Sequence, residues 1–241
     1  IMLDSQESQR YSRQILLSQI GTSGQEKIKA SSVLIIGIGG LGCTVAQLLT
    51  TSGVGKIGLL DGDSVDLSNL QRQVLFNQND IGKPKVDIAK NKLTVLNPNV
   101  ELDAFNFFLN NENVINLFLD YDVIVDCTDD IETKILTNEH AIKCNKPLVY
   151  AALHKYEGQV TTFNYNGSAS YTDLFPSIKK MQDIPQCSEV GVYSILPNLI
   201  ASLQTNEVIK IILELGNILS GQLLTYNTLT NNFYMISYDK V

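Results

Sequence analysis

Three glycines, one aspartate and a short polar and basic run are the residues of this chain most able to do chemistry. Gly37, Gly39 and Gly42 form a G-x-G-x-x-G pattern inside VLIIGIGGLG at 33–42, with Gly40 between them. Glycines at this spacing allow a tight turn and a close approach of backbone to phosphate. The helix that follows offers unpaired N–H groups and the positive end of its dipole. Asp61 ends the apolar run KIGLLD, 19 residues after Gly42. A βαβ nucleotide-binding unit places a carboxylate there, on a ribose hydroxyl. The bland alternative is a glycine turn that only packs a helix against a strand. Correct flanking by strand and helix favours a nucleotide, of which NAD is the usual one for such a fingerprint.

The block SNLQRQ at 68–73 shifts the expectation away from NAD. Asn69, Arg72 and Gln73 follow the Asp61 strand, on the edge where ligands bind. Arg72 can fork onto phosphate oxygens. Lys85 opens the next helix behind Pro84. Two cations aimed at one nucleotide suit a triphosphate, and hydride transfer would not need them. The alternative is two solvated side chains. In DCTDD at 126–130, three carboxylates end a further strand. That arrangement suits Mg²⁺, which takes oxygen ligands and substrate phosphates. Asp129 is the chosen metal ligand, while Asp126 and Asp130 could instead cap the helix that begins at Ile131.

The elements that must hold these residues alternate along the chain. Strands are expected at 33–37, 56–61, 100–106, 123–126 and 147–151. Helices are expected at 41–52, 83–96, 112–118 and 131–144. This order predicts an α/β fold with a Rossmann-like, doubly wound, mainly parallel sheet. One amphipathic helix is expected at 6–20, with Tyr11, Ile15, Leu16 and Ile20 on or near one face, and another at 24–30. Beyond Ala152 come an alternating strand at 159–165, an irregular polar stretch at 168–189, a long helix at 194–215, and strands at 221–227 and 232–238. The later strands read as an antiparallel C-terminal extension of the sheet.

The chain has 241 residues, 44% of them hydrophobic and 18% charged. That fits one domain with a sizeable core and extensive burial, as in an oligomer. A net charge of −7 argues against a nucleic-acid surface. Six polar or charged residues interrupt 195–215, so that segment is not read as a membrane span. The four cysteines, Cys43, Cys127, Cys144 and Cys187, form no C-x-x-C pair, which predicts no zinc site and a reducing cytoplasm. Cys43 and Cys127 read as reduced core residues. Cys187 precedes a helix and is either a reactive thiol of lowered pKa or a buried inert one. His140 and His154 stand outside any motif, so an oxidoreductase lacks a candidate hydride relay.

RYSRQ (10–14), GxGGLG, LLDGDSVDLSNLQRQ (59–73), GKPKVD (82–87), DCTDD (126–130), EGQVTTF (157–163) and C-x-E-x-GV (187–192) occur in this order. Together they resemble the ThiF/MoeB/HesA family, bacterial relatives of the ubiquitin-activating enzyme, from about residue 9 to about residue 226. The resemblance implies an ATP-dependent adenylyltransferase. It would activate the C-terminal carboxylate of a ubiquitin-like sulphur carrier ending in Gly-Gly. It implies that Asp61 holds the ATP ribose, that Asn69, Arg72, Gln73 and Lys85 contact phosphates, and that Asp129 positions Mg²⁺. Arg13 resembles the arginine that enters the partner subunit's site, which implies a homodimer. Cys187 matches the cysteine that some members use covalently. One domain over 1–241 is expected, with a helical arm (1–30), a nucleotide-binding half (31–152) and a carrier-binding half (153–241). The chain departs from the family in lacking its zinc cysteines and in carrying Asp130 where asparagine is frequent. The carrier could serve thiamine, molybdopterin or another sulphur pathway, and the carboxylate could instead belong to a peptide or a tRNA-borne group. A non-catalytic nucleotide-binding scaffold is a further alternative.

Overall fold

The structure, a computed structural model, describes residues 2–178 and 191–241. Five strands, β1 (Ser32–Ile36), β2 (Lys56–Leu60), β3 (Glu101–Phe105), β4 (Val123–Asp126) and β5 (Leu148–His154), pair in parallel in the order β3-β2-β1-β4-β5. Three more, β6 (Glu157–Phe163), β7 (Gln222–Asn227) and β8 (Asn232–Ser237), extend the sheet antiparallel. The inner strands are apolar runs because both of their faces are covered. Val33, Ile35, Ile57, Leu59, Val123 and Val125 face one core, and Leu34, Ile36, Leu60 and Ile124 face the other.

Helices α1 (Ser5–Arg10), α2 (Ser12–Ile15) and α3 (Gly21–Ala30) form the N-terminal arm. Then come α4 (Gly40–Ser52), α5 (Lys85–Leu96), α6 (Val114–Leu119), α7 (Ile131–Lys143), α8 (Tyr171–Leu174) and α9 (Leu196–Leu213). Buried side chains of α4, α5 and α9 fill the first core, and those of α6, α7 and α8 the second. The strand order reverses between β1 and β4. Ligands bind at such a switch point, outside the carboxyl ends of the strands. The glycine turn and DCTDD follow those two strands.

Two expectations are corrected. The helix expected at 6–20 is broken at Tyr11, whose ring lies against Gly53: a Cβ there would stand 2.5 Å from the Tyr11 Cζ. The Tyr11 hydroxyl accepts from Asn97 Nδ2 at 2.8 Å. This seating turns the chain between α1 and α2, and Leu16, expected on the buried face, is 73% exposed. The stretch from 168 is not irregular at its start. Ser170 and Asp173 form a capping box for α8, and Tyr171 packs with Tyr150, Phe163 and Phe175. Residues 179–190, including Cys187, lie outside the described residues. No helix among the described residues is long and apolar enough to cross a membrane.

Candidate nucleotide site

The turn after β1 needs its glycines. Gly37 has φ +89°, and a Cβ on it would press on the Cys127 carbonyl at 3.0 Å and the Thr128 nitrogen at 3.3 Å. A Cβ on Gly42 would lie 1.9 Å from the Gly37 oxygen. No side chain fits there while α4 starts this close to β1. Gly39 is the N-cap of α4 and supplies no side-chain cap, which leaves the first turn's amides open to an anion.

Asp61 is buried and faces this turn. Its Oδ2 accepts from the Ile38 amide at 2.7 Å, and its Oδ1 from the Asp63 amide at 2.8 Å. Burial raises the carboxyl above its ordinary pKa, while Lys85 and the two amides oppose that. Lys85 is itself buried, with Nζ 3.0 Å from Asp63 and 3.9 Å from Asp61. Its helix is placed by the Lys85 amide donating to the Asp63 carbonyl at 3.0 Å and by a bridge between Ser64 and Pro84.

The short 3-10 turn Leu67–Asn69 carries the remaining polar groups. Asp66 caps it, and Asn69 Oδ1 accepts from the Asp66 amide in return. Arg72 and Gln73 hang from the same turn, both backbone amides donating to the Asn69 carbonyl. Arg72 donates to the Ser68 carbonyl at 3.0 Å, and its stem passes 3.6 Å from where a Gly40 Cβ would be. Gln73 Nε2 lies 3.7 Å from the corresponding point on Gly39. Its Oε1 is buried without a partner, a free acceptor beside the glycine turn.

The third loop, 126–130, touches the turn through Cys127. Its acids divide their work. Asp130 Oδ2 accepts from the Thr133 amide and hydroxyl, both at 2.7 Å. This is the capping alternative, and the family's asparagine could fill the same position. Asp126 is not a cap of α7. It is 1% exposed and pairs at 3.1 Å with Lys134, 5% exposed, which also donates to the Ala151 carbonyl and lies over the Tyr150 ring. Asp129 alone is exposed and without a partner among the described residues. These residues hold no cluster of three or more acids, histidines or cysteines fit for a metal. A cation on Asp129 would take its other ligands from phosphate oxygens and water.

Gly37, Gly39, Gly40, Gly42, Asp61, Asn69, Arg72, Gln73, Lys85 and Asp129 therefore gather at one edge of the sheet, and Arg13 does not join them. It is exposed on α2, and α2 packs on α3 at the far end of α4: Gln14 bonds Gln25, which bonds the Ser52 carbonyl. Thirteen helical residues separate that end from the glycine turn, or about 20 Å. Cys43 and Cys127 are buried and free, as expected. Lys134 was missed by sequence reasoning. Its signal was a basic side chain in the first turn of a helix just after an acidic strand end.

The sequence pattern of the ThiF family matches residues 11–240. The chain belongs to the ThiF family. A probable molybdopterin-synthase adenylyltransferase of Porphyra purpurea is 43% identical over 230 residues, 95% of this chain and 60% of that protein. The sulfur carrier protein adenylyltransferase of Thermus thermophilus is 40% identical over 233 residues, 95% of this chain and 86% of that protein. The chain spans about half of an adenylyltransferase and sulfurtransferase of Xenopus laevis, at 43% identity over 225 residues. The fold resembles a crystal structure of PaaA, with TM-score 0.83 and 26% identity, covering 100% of this chain and 76% of that one. This ThiF-family chain also shares its fold with E. coli MccB crystallised with ATP, with TM-score 0.82 and 24% identity, covering 99% and 73%.

Proposed function

We propose that this ThiF-family chain is an adenylyltransferase. It joins the C-terminal glycine carboxylate of a ubiquitin-like sulphur carrier to the adenylyl group of ATP. One observation carries the reading: an uncapped glycine turn, a buried ribose-type carboxylate (Asp61) and two cations (Arg72 and Lys85) converge at the switch point of the sheet. The names of the relatives from Porphyra and Thermus support the reaction and the class of carrier.

A carboxylate oxygen of the carrier attacks the α-phosphorus, the α–β anhydride bond breaks, and pyrophosphate leaves. The carboxylate is already ionised at pH 7, so the step needs no general base. The work of the chain is positioning and charge neutralisation. Asp61 fixes the ribose, and the amides at the start of α4 receive phosphate oxygens. Arg72, Lys85 and the amide groups of Asn69 and Gln73 receive the charge that pyrophosphate gains on leaving. Bound Mg²⁺, held through Asp129, supplies further neutralisation of the phosphates.

The far position of the arm supports a homodimer in which Arg13 serves the partner's site. The test is complementation. Arg13→Ala and Arg72→Ala chains are each inactive alone, and mixing them regenerates one intact site per mixed dimer. ATP–pyrophosphate exchange should then reappear. Full exchange by Arg72→Ala alone would sink the assignment of the site. No recovery on mixing would sink the trans role of Arg13.

A further inference from the structure

The buried Asp126–Lys134 pair takes no part in the reaction described above, yet it stands at the root of the loop that carries Asp129. Both Asp126 oxygens are committed. Oδ1 accepts from the Thr128 amide at 2.9 Å and from the Thr128 hydroxyl at 2.6 Å, and Oδ2 accepts from Lys134 Nζ at 3.1 Å. The Asp126 carbonyl accepts from Gln204 Nε2 at 2.8 Å. Gln204 is a fully buried residue of α9, and its Nε2 also donates to the Val149 carbonyl at 3.1 Å.

A buried ion pair is a weak device for stability, because apolar residues of similar size often do as well. The geometry of this one is that of a brace. Lys134 ties Asp126 to β5 through the Ala151 carbonyl at 3.0 Å. The Cys127 amide donates to the Ile36 carbonyl at 2.9 Å, which seats the loop against the glycine turn. At the far end Asp130 is fixed by Thr133. Asp129 is left exposed between two anchored neighbours, Thr128 and Asp130, so its backbone is placed before any ligand arrives. Groups that orient a metal ligand from behind count for about 10- to 100-fold in metal affinity.

We propose that Asp126, clamped by Lys134, is a positioning residue for Asp129 and acts through Thr128. The proposal rests on the reading of Asp129 as the Mg²⁺ ligand. Asp126 itself meets neither the metal nor the nucleotide. It sets the course of the chain from which the Asp129 carboxylate projects.

Calorimetry with Mg²⁺·ATP and with ATP in EDTA reads the metal's share of binding without turnover. In the wild type Mg²⁺·ATP should bind more tightly than metal-free ATP, and Asp129→Ala should abolish the difference. Thr128→Val keeps the shape of the side chain and removes one donor to Asp126. It should cut the gain from Mg²⁺ roughly tenfold and leave the affinity for metal-free ATP unchanged, and Thr128→Ser should restore the gain. Asp126→Val/Lys134→Met replaces the pair with apolar side chains and should keep the protein folded while losing the gain. A merely structural pair would leave the gain intact in every variant that folds. A full gain in Thr128→Val or in the double variant, or an equal loss with and without Mg²⁺, would overturn the positioning role alone. A wild type with no gain from Mg²⁺, or a gain that survives Asp129→Ala, would overturn the reading of Asp129, and the positioning role with it.

Discussion

The Ile38 amide donates to Asp61 Oδ2 at 2.7 Å, joining the glycine turn to the end of β2 across 23 residues of chain. The carboxylate read as the ribose ligand therefore also holds the shape of the phosphate cradle. Asp61→Ala leaves that buried amide without a partner, which costs about 1–3 kcal/mol. Urea denaturation should show a loss of that size, together with loss of ATP binding. Asp61→Asn keeps one acceptor for the Ile38 amide but turns a donor towards the Asp63 amide, so it should recover part of the stability without the nucleotide affinity. Equal stability of Asp61→Ala and the wild type would contradict the structural half of this role.

The neighbouring acids Asp129 and Asp130 should separate cleanly. Asp129→Ala removes an exposed side chain with no partner among the described residues, so the melting temperature should stay within about 1 °C. Exchange at limiting Mg²⁺ should fall by at least tenfold. Asp130→Ala removes a cap and should cost about 1 kcal/mol of stability, and Asp130→Asn should restore it. A Mg²⁺ dependence that follows Asp130 instead would reverse the assignment.

Beneath the loop, Asp126 and Lys134 are a buried pair. Removing one partner strands the other charge away from water. Lys134→Met should therefore destabilise the protein by about 3–5 kcal/mol, read from the urea midpoint. A change below about 1 kcal/mol would show that water reaches the pair.

The glycine turn, Asp61, Arg72, Lys85 and the mainly parallel, doubly wound sheet were legible in the sequence because their signals are local. A strand end, a helix start and the residues between them are contiguous, and the alternation of elements makes the sheet parallel. What was not legible depended on contacts across the fold. The break at Tyr11 comes from its seat on Gly53, 42 residues away. Lys134 reads as an ordinary surface lysine until β5 brings Tyr150 and the Ala151 carbonyl beneath it. Of the three carboxylates in the Asp126–Asp130 block, packing gives Asp126 to Lys134 and Asp130 to Thr133, and leaves Asp129 exposed.

Two thiols give a pH-dependent outcome. Burial pushes the Cys43 thiol up to about 12 from an ordinary 9.0 and raises Cys127 well above its ordinary value. Folded protein at pH 8 should leave both unalkylated by iodoacetamide, and urea should expose both, as read by peptide mass mapping. The unfolded chain releases these protons near pH 9, while the folded chain keeps them. The contribution to stability is thus full below pH 9 and is lost as pH rises towards 12. Rapid labelling of Cys43 at pH 8 in the folded state would contradict the burial.

The central claim is carrier adenylation, and ATP–pyrophosphate exchange tests it most directly. The assay pairs this protein with Mg²⁺ and purified ubiquitin-like carriers ending in Gly-Gly, each beside a version lacking the last glycine. Exchange that requires one carrier and disappears with its truncated form is the predicted result, and it names the carrier. Bound ATP with no exchange for any carrier would contradict the account and leave a nucleotide-binding scaffold or a different carboxylate as the substrate.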